Sequence, residues 1–202
     1  MFSPLINELI DSLKALPGVG PRSAQRMAFY LLNKNRPAAS RIAKAMTAAA
    51  EQVGKCRSCR NLTEEAQCRI CADARRDHDT VCVVETPADV LAFEQSATYN
   101  GRYFVLFGHL SPIDGVGPKD LGIPLLEEQM HSGLIKELIL ATNPSLEGET
   151  TAFYISDKAH QLAVKVSKIA QGVPLGGDLE MIDGSTLAHA LSRRQAVVPD
   201  AR

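Results

Sequence analysis

The chain has no tryptophan, and aromatic residues make up only 5% of its 202 residues. No apolar run approaches the roughly 18–20 residues of a membrane-spanning helix, so no membrane role is expected. The opening stretch MFSPLINELIDSLKALPGVG lacks a basic start and carries Glu8 and Asp11, unlike a secretory signal. The expected compartment is therefore the cytoplasm, where thiols stay reduced. An excess of charge is missing too: 22 basic and 23 acidic side chains leave a net charge of −1. That balance alone neither calls for a nucleic-acid partner nor excludes one. No Gly-x-x-x-x-Gly-Lys-Ser/Thr phosphate loop occurs, so ATP hydrolysis is not expected. Internal repeats and low-complexity tracts are also absent.

What is present is an ordinary apolar content of 45%, enough for a core in one medium domain or two to three small ones. The charge is unevenly spread. Residues 1–55 hold eight basic side chains against three acidic ones, a local +5 that leaves the remainder acidic. Such asymmetry suggests an anionic partner for the N-terminal part.

That part reads as three helices. Leu5, Ile6, Leu9, Ile10, Leu13 and Leu16 recur at helical spacing over residues 4–16. A Pro-Gly-rich break follows, then a helix from about Ser23 and an alanine-rich helix from about Ala39 ending at Gly54. The break itself carries chemistry. In LPGVGPRSAQRMAF, Gly18 and Gly20 flank one small residue, which permits a tight turn and close backbone approach. The amides from Gly18 to Arg22 then lie at the start of the next helix, where a phosphate oxygen is favoured. Arg22 and Arg26, four residues apart, extend that face. The segment resembles the helix-hairpin-helix motif, which holds the DNA backbone without reading sequence. An ordinary helical hairpin would also accept glycine in its turn.

Four of the five cysteines form two hooks, Cys56-x-x-Cys59 and Cys68-x-x-Cys71, separated by eight residues. In a reducing compartment this spacing brings four thiolates to one tetrahedral Zn²⁺. Four protein ligands leave no open position, so the site reads as structural. The segment has too few apolar residues for a core of its own, and metal stands in for one. A redox pair is the competing reading. Cys82, inside TVCVVE, reads as a small core residue.

From residue 80 short apolar strands alternate with helices, the pattern of an α/β layer with a mainly parallel sheet. The strands are TVCVVE, RYFVLFG, ELILAT and VKVSKIA; PADVLAFEQS, GIPLLEEQMHSG and GETTAFYISDKAHQL are the helices. After the third strand comes ATNPSLEGETTAFYI. It resembles the acidic signature of Toprim domains, in which a Glu after the first strand and an Asp pair hold Mg²⁺ for phosphoryl transfer. Here Glu85, Glu147 and Glu149 are present, but Asn143 and Ser145 stand at the Asp positions. Hard cations prefer charged oxygen ligands, so the Toprim fold is expected without its chemistry. The Gly-Pro-rich segment 109–123 reads as a loop that either carries function or merely connects. The tail holds one helix beginning near Ser185.

Taken in order, these segments resemble the bacterial RecR family of recombination mediators over nearly the whole chain. The carrying stretches are LPGVGPRSAQRMAF, CRSCRNLTEEAQCRICAD, VCVVETPADVLAFE, LSPIDGVGPKDLGI, NPSLEGETTAFYI and GVPLGGDLEMID. The resemblance implies an α+β multidomain fold: a helix-hairpin-helix unit over 1–54, a four-cysteine zinc finger over 55–79, a Toprim domain over 80–171 and a Walker B-like tail over 172–202, with Asp178 at the motif's acid. It implies a non-enzymatic DNA-binding mediator that works with RecO and RecF to load RecA onto gapped or single-stranded DNA. A homo-oligomer, a tetrameric ring or a dimer, is implied as well. The DNA contacts fall on Gly18, Gly20, Arg22 and Arg26, and the RecO-docking acids on Glu147, Glu149 and Glu85. The alternative is a Toprim-type Mg²⁺-dependent nuclease or topoisomerase using those acids for metal. A sequence-specific zinc regulator would need a recognition helix, and none is legible.

Overall fold

The structure, a computed structural model, describes residues 2–194. The chain divides after Gly54 into two compact units.

The first unit is three helices. Helix α1 spans Pro4–Lys14, α2 spans Pro21–Asn33 and α3 spans Arg36–Gln52. α2 starts two residues before the expected Ser23 because proline suits the first helical position, where its missing N–H costs nothing. α3 starts before Ala39 for a different reason: the Asn35 side chain accepts from the Ala38 N–H at 3.1 Å and caps a turn that also holds Pro37. It ends at Gln52, short of Gly54, with Val53 already extended. The only buried side chains of the three helices are Ala24, Ala28 and Ala38.

A small module follows the three helices: strand β1 (Gly54–Lys55), strand β2 (Leu62–Thr63) paired with it, and the one-turn helix α4 (Arg69–Ala72). An alternating layer follows: β3 (Thr80–Val84), α5 (Pro87–Ser96), β4 (Arg102–Val105), α6 (Ile123–His131), β5 (Glu137–Ala141), α7 (Leu146–Gln161) and β6 (Lys165–Lys168). The four strands β3 to β6 form one sheet in the order β4-β3-β5-β6, with every pairing parallel. Strand side chains alternate between the faces. Val81, Val83, Leu138 and Leu140 pack on one face with Leu126 and Met130 of α6 and Ile155 of α7. Cys82 and Val84 pack on the other with Val90 of α5, Tyr103 and Val105. Both faces are therefore apolar, as a parallel sheet requires. Cys82 is a core residue, and burial pushes its thiol up to about 12.

The tail contains one 3₁₀ turn, Leu179–Met181, and helix α8, Gly184–Ser192. Asp183 caps α8 by accepting from the Thr186 N–H at 2.9 Å. Residues 195–202 of the tail lie outside the described residues. The architecture is α+β: a helical N-terminal unit, a cysteine module, a parallel α/β layer and a short helical tail.

Candidate functional site

The two cysteine hooks close on each other. The sulfurs of Cys56, Cys59, Cys68 and Cys71 all lie within 4.8 Å of one another, and all four residues are buried. Backbone amides already point at the sulfurs. The Cys68 N–H donates to Cys56 Sγ at 3.3 Å and the Asn61 N–H to Cys59 Sγ at 3.4 Å, as amides behind metal-bound thiolates do. The donor set and its burial fit a structural Zn²⁺; a redox disulfide would use two sulfurs and leave two idle.

In the first unit, Gly18 takes a left-handed φ of 77° in the turn between α1 and α2. A side chain there would be strained. Gly20 is the N-cap of α2 and offers no side-chain acceptor, so the first amides of that helix stay open to an outside oxygen. Arg22 and Arg26 are both exposed on α2. Lys14, by contrast, pairs with Asp11 at 2.6 Å. The hairpin thus brings the two glycines, the open helix start and two exposed guanidinium groups to one region.

The acidic turn lies at the carboxyl ends of β3 and β5, the usual place for a ligand on a parallel sheet. Its three acids have three different surroundings. Glu85 is 4% exposed. Its Oε1 accepts from the Asn143 backbone N–H at 2.8 Å, and its Oε2 accepts from the Asn143 side-chain amide at 2.7 Å. His109 Nδ1 stands 3.6 Å from the same Oε2. Glu149 is half-exposed; Lys168 donates to it, and the Gln171 amide donates at 3.2 Å. The Lys168 ammonium holds its carboxyl below the usual range. Glu147 is exposed on the first turn of α7 and has no side-chain partner among the described residues.

The two residues that replace the expected aspartates have structural work. Asn143 occupies both oxygens of Glu85, where a cation would sit. Ser145 caps α7 by accepting from the Gly148 N–H at 3.0 Å. Gly148 must be glycine, since a Cβ there would overlap the Asn143 carbonyl and lie 3.0 Å from Glu85 Oε1. Among the described residues, the cysteine cluster is the one group of His, Cys, Asp and Glu side chains placed to share a metal.

Sequence reasoning missed Arg60. It is 9% exposed, with a left-handed φ of 64° directly after the first hook. Its guanidinium donates to the carbonyls of Leu106, Asp120 and Leu121. Nothing short of the fold reveals it, because an arginine in a loop of charged residues reads as solvated. The Lys168–Glu149–Gln171 link was equally hidden, since its members belong to different elements.

Comparison with known proteins agrees along the chain. Residues 6–50 match the family model of the RecR helix-hairpin-helix, 53–73 that of the RecR four-cysteine zinc finger domain, 79–170 that of the Toprim domain, and 172–195 that of the RecR C-terminal region. Over 197 residues the chain is 56% identical to a recombination protein RecR of Saccharophagus degradans, covering 98% of this chain and 100% of the relative. The cysteine module is therefore a four-cysteine zinc finger and the α/β layer a Toprim domain.

Proposed function

The chain belongs to the RecR family of recombination proteins, and on that premise we propose that it is a DNA-binding mediator that acts by binding and not by phosphoryl chemistry. The observation that carries this reading is the closure of Glu85 by Asn143. A Toprim domain that cuts DNA needs carboxylates open to Mg²⁺. Here the one buried carboxylate among the described residues accepts from the backbone and side-chain amides of Asn143, one at each oxygen.

DNA is held at the hairpin. The phosphate backbone meets the open amides after Gly18 and Gly20 and the side chains of Arg22 and Arg26. That contact is electrostatic and independent of sequence. The acidic turn serves a protein partner, RecO, with Glu147 as its free charge and Glu149 beside it. Complementary charge at such a surface sets partner choice and encounter rate. Glu85, inside the fold, acts there by shaping the turn. RecF joins the same pathway, whose outcome is RecA loading on gapped or single-stranded DNA.

The working form is a homo-oligomer, a ring able to surround DNA or a dimer. Two features support it. The helical unit buries only three alanines, while Leu9, Leu13, Met27, Ile42 and Met46 line an open apolar cavity of about 650 Å³. In the tail, Leu175, Leu179 and Met181 are exposed. Apolar surface of this extent marks an interface. The functional divisions are 1–54, 55–79, 80–171 and 172–202.

One gel tests the central claim. The zinc-loaded protein is mixed with supercoiled plasmid and Mg²⁺, and samples run before and after protease. Retarded plasmid that returns intact is expected. Plasmid returned nicked or relaxed, in proportion to Mg²⁺ and lost in E85A, would make this a metal-dependent nuclease or topoisomerase.

A further inference from the structure

We propose that the zinc finger does more than fold its own module. Through Arg60 it fixes the conformation of the Gly-Pro-rich loop 109–122, so that metal occupancy governs whether this surface is presented as a rigid shape. The inference starts from where the residues of the first hook make their bonds. Ser58 and Cys59 spend their carbonyls outside the module. The Cys59 carbonyl accepts from the Val105 N–H at the end of β4, at 2.9 Å. The Ser58 carbonyl accepts from the side chain of Gln129 on α6, at 2.7 Å. The third contact is Arg60. Its Nη1 reaches the Leu106 carbonyl at 3.3 Å and also the Leu121 carbonyl, and its Nη2 reaches the Asp120 carbonyl at 3.0 Å.

These contacts grip both ends of one segment. Leu106 precedes the loop and Leu121 closes it. The guanidinium lies 5.9 Å from the centre of the Phe104 ring and 5.8 Å from that of Phe107, within range of a cation–π contact. Burial lowers its pKa, while the three carbonyls accept from both of its terminal nitrogens. Gly122 is shaped for the same group. Its φ is 69°, and a Cβ on it would overlap the guanidinium. A planar fork with donors in fixed directions suits three carbonyls; a lysine would not reproduce it.

The reach of Arg60 depends on the hook. Its backbone N–H closes the knuckle by donating to the Cys56 carbonyl at 2.9 Å, and its φ is left-handed. A non-glycine residue holds that conformation only where its surroundings impose it. Here the surroundings are two cysteines whose separation the metal sets. If the hook opens, Arg60 is free to leave the strained φ, and its guanidinium leaves the three carbonyls together.

What is held is a shaped surface. Ser111 and Val116 bridge each other, the Ser111 hydroxyl donates to Asp114 at 2.6 Å, and the Gly117 N–H donates to Asp120 at 2.8 Å. On the far side the Leu110 N–H is tied to Thr151 of α7 at 2.9 Å. The tip presents Ile113, 98% exposed, with Lys119 exposed nearby. Zinc-finger geometry therefore passes through one arginine to a surface made of other residues.

Hydrogen exchange on the full chain tests this, comparing the zinc-loaded protein, the same protein after chelation by EDTA, and zinc-loaded R60M. Chelation should speed exchange at the loop amides, Ser111, Val116, Gly122 and Ile123, by about tenfold or more, while β3 and β5 keep their protection. R60M should keep one zinc per chain by metal analysis and show the same loop-specific gain. R60K should fall nearer R60M than wild type. Two results would overturn the proposal: loop exchange unchanged while the cysteine hooks open, or a gain spread equally over β3 and β5, which would make zinc a general stabiliser. Should R60M fail to fold, the wild-type comparison decides alone.

Discussion

Asn143 donates twice to Glu85, from its backbone N–H at 2.8 Å to one carboxylate oxygen and from its side-chain amide at 2.7 Å to the other. The buried charge is thus satisfied by a residue at a position where metal-binding Toprim turns carry an aspartate. N143D removes the side-chain donor and sets a second carboxylate against the first. Two such groups cannot both ionise cheaply. The expected loss is on the order of 1–3 kcal/mol of stability in Mg²⁺-free buffer, with part of it restored by millimolar Mg²⁺, because a cation bound only by the folded state stabilises it. Thermal melts of both zinc-loaded proteins, without and with Mg²⁺, check this. N143D as stable as wild type without Mg²⁺ would mean that the side-chain donation contributes nothing.

The hairpin reading predicts a change in salt dependence. Arg22 and Arg26 are exposed, so replacing both by alanine should leave the fold intact. If each neutralises one phosphate, the slope of log affinity against log salt should become shallower by about 2. Affinity should fall alike for unrelated sequences. Fluorescence anisotropy on two oligonucleotides over a salt series measures both. An unchanged slope would move the DNA contact elsewhere.

The regular elements were legible because their patterns are local. Val81 to Val84 alternate between the sheet faces, and the Thr86 and Asp89 capping box sets the start of α5. The cysteine hooks were legible because their spacing states a geometry. Arg60, the Lys168–Glu149 pair and the distinct surroundings of Glu85, Glu147 and Glu149 were not, since each depends on which residue stands opposite in space. At Asn143 the sequence showed that a ligand had been replaced; only the fold showed that the replacement occupies the carboxylate.

Glu147 and Glu149 should separate in their effects. Glu147 projects from the first turn of α7 without a partner among the described residues, whereas Glu149 holds Lys168 and Gln171. E147R should abolish RecO binding and leave the melting temperature within a degree or two, as surface changes do. E149Q should weaken the link to Lys168 and lower stability slightly, with a smaller effect on RecO. Calorimetric titration with RecO beside thermal melts would show it. Full RecO affinity in E147R would remove Glu147 from the docking surface.

Acid sensitivity should centre on the pair formed by Arg76 and Glu94. Arg76 donates to both oxygens of Glu94, and the Tyr103 hydroxyl donates to one of them at 2.7 Å. The Arg76 guanidinium, with help from Tyr103, holds the Glu94 carboxyl below its ordinary value. A depressed carboxyl pKa stabilises the fold above its unfolded value, about 4.3, and that contribution is lost as pH falls through the folded value. E94Q keeps the shape but leaves Arg76, whose side chain is 15% exposed, without its counter-charge. At pH 7 the variant should be less stable by about 1–3 kcal/mol. Between pH 5 and 3 wild type should lose stability faster than E94Q, so the two converge. Urea unfolding at pH 7, 5 and 3.5 measures the gap. A gap that stays constant down to pH 3.5 would assign the effect of E94Q to packing and not to charge.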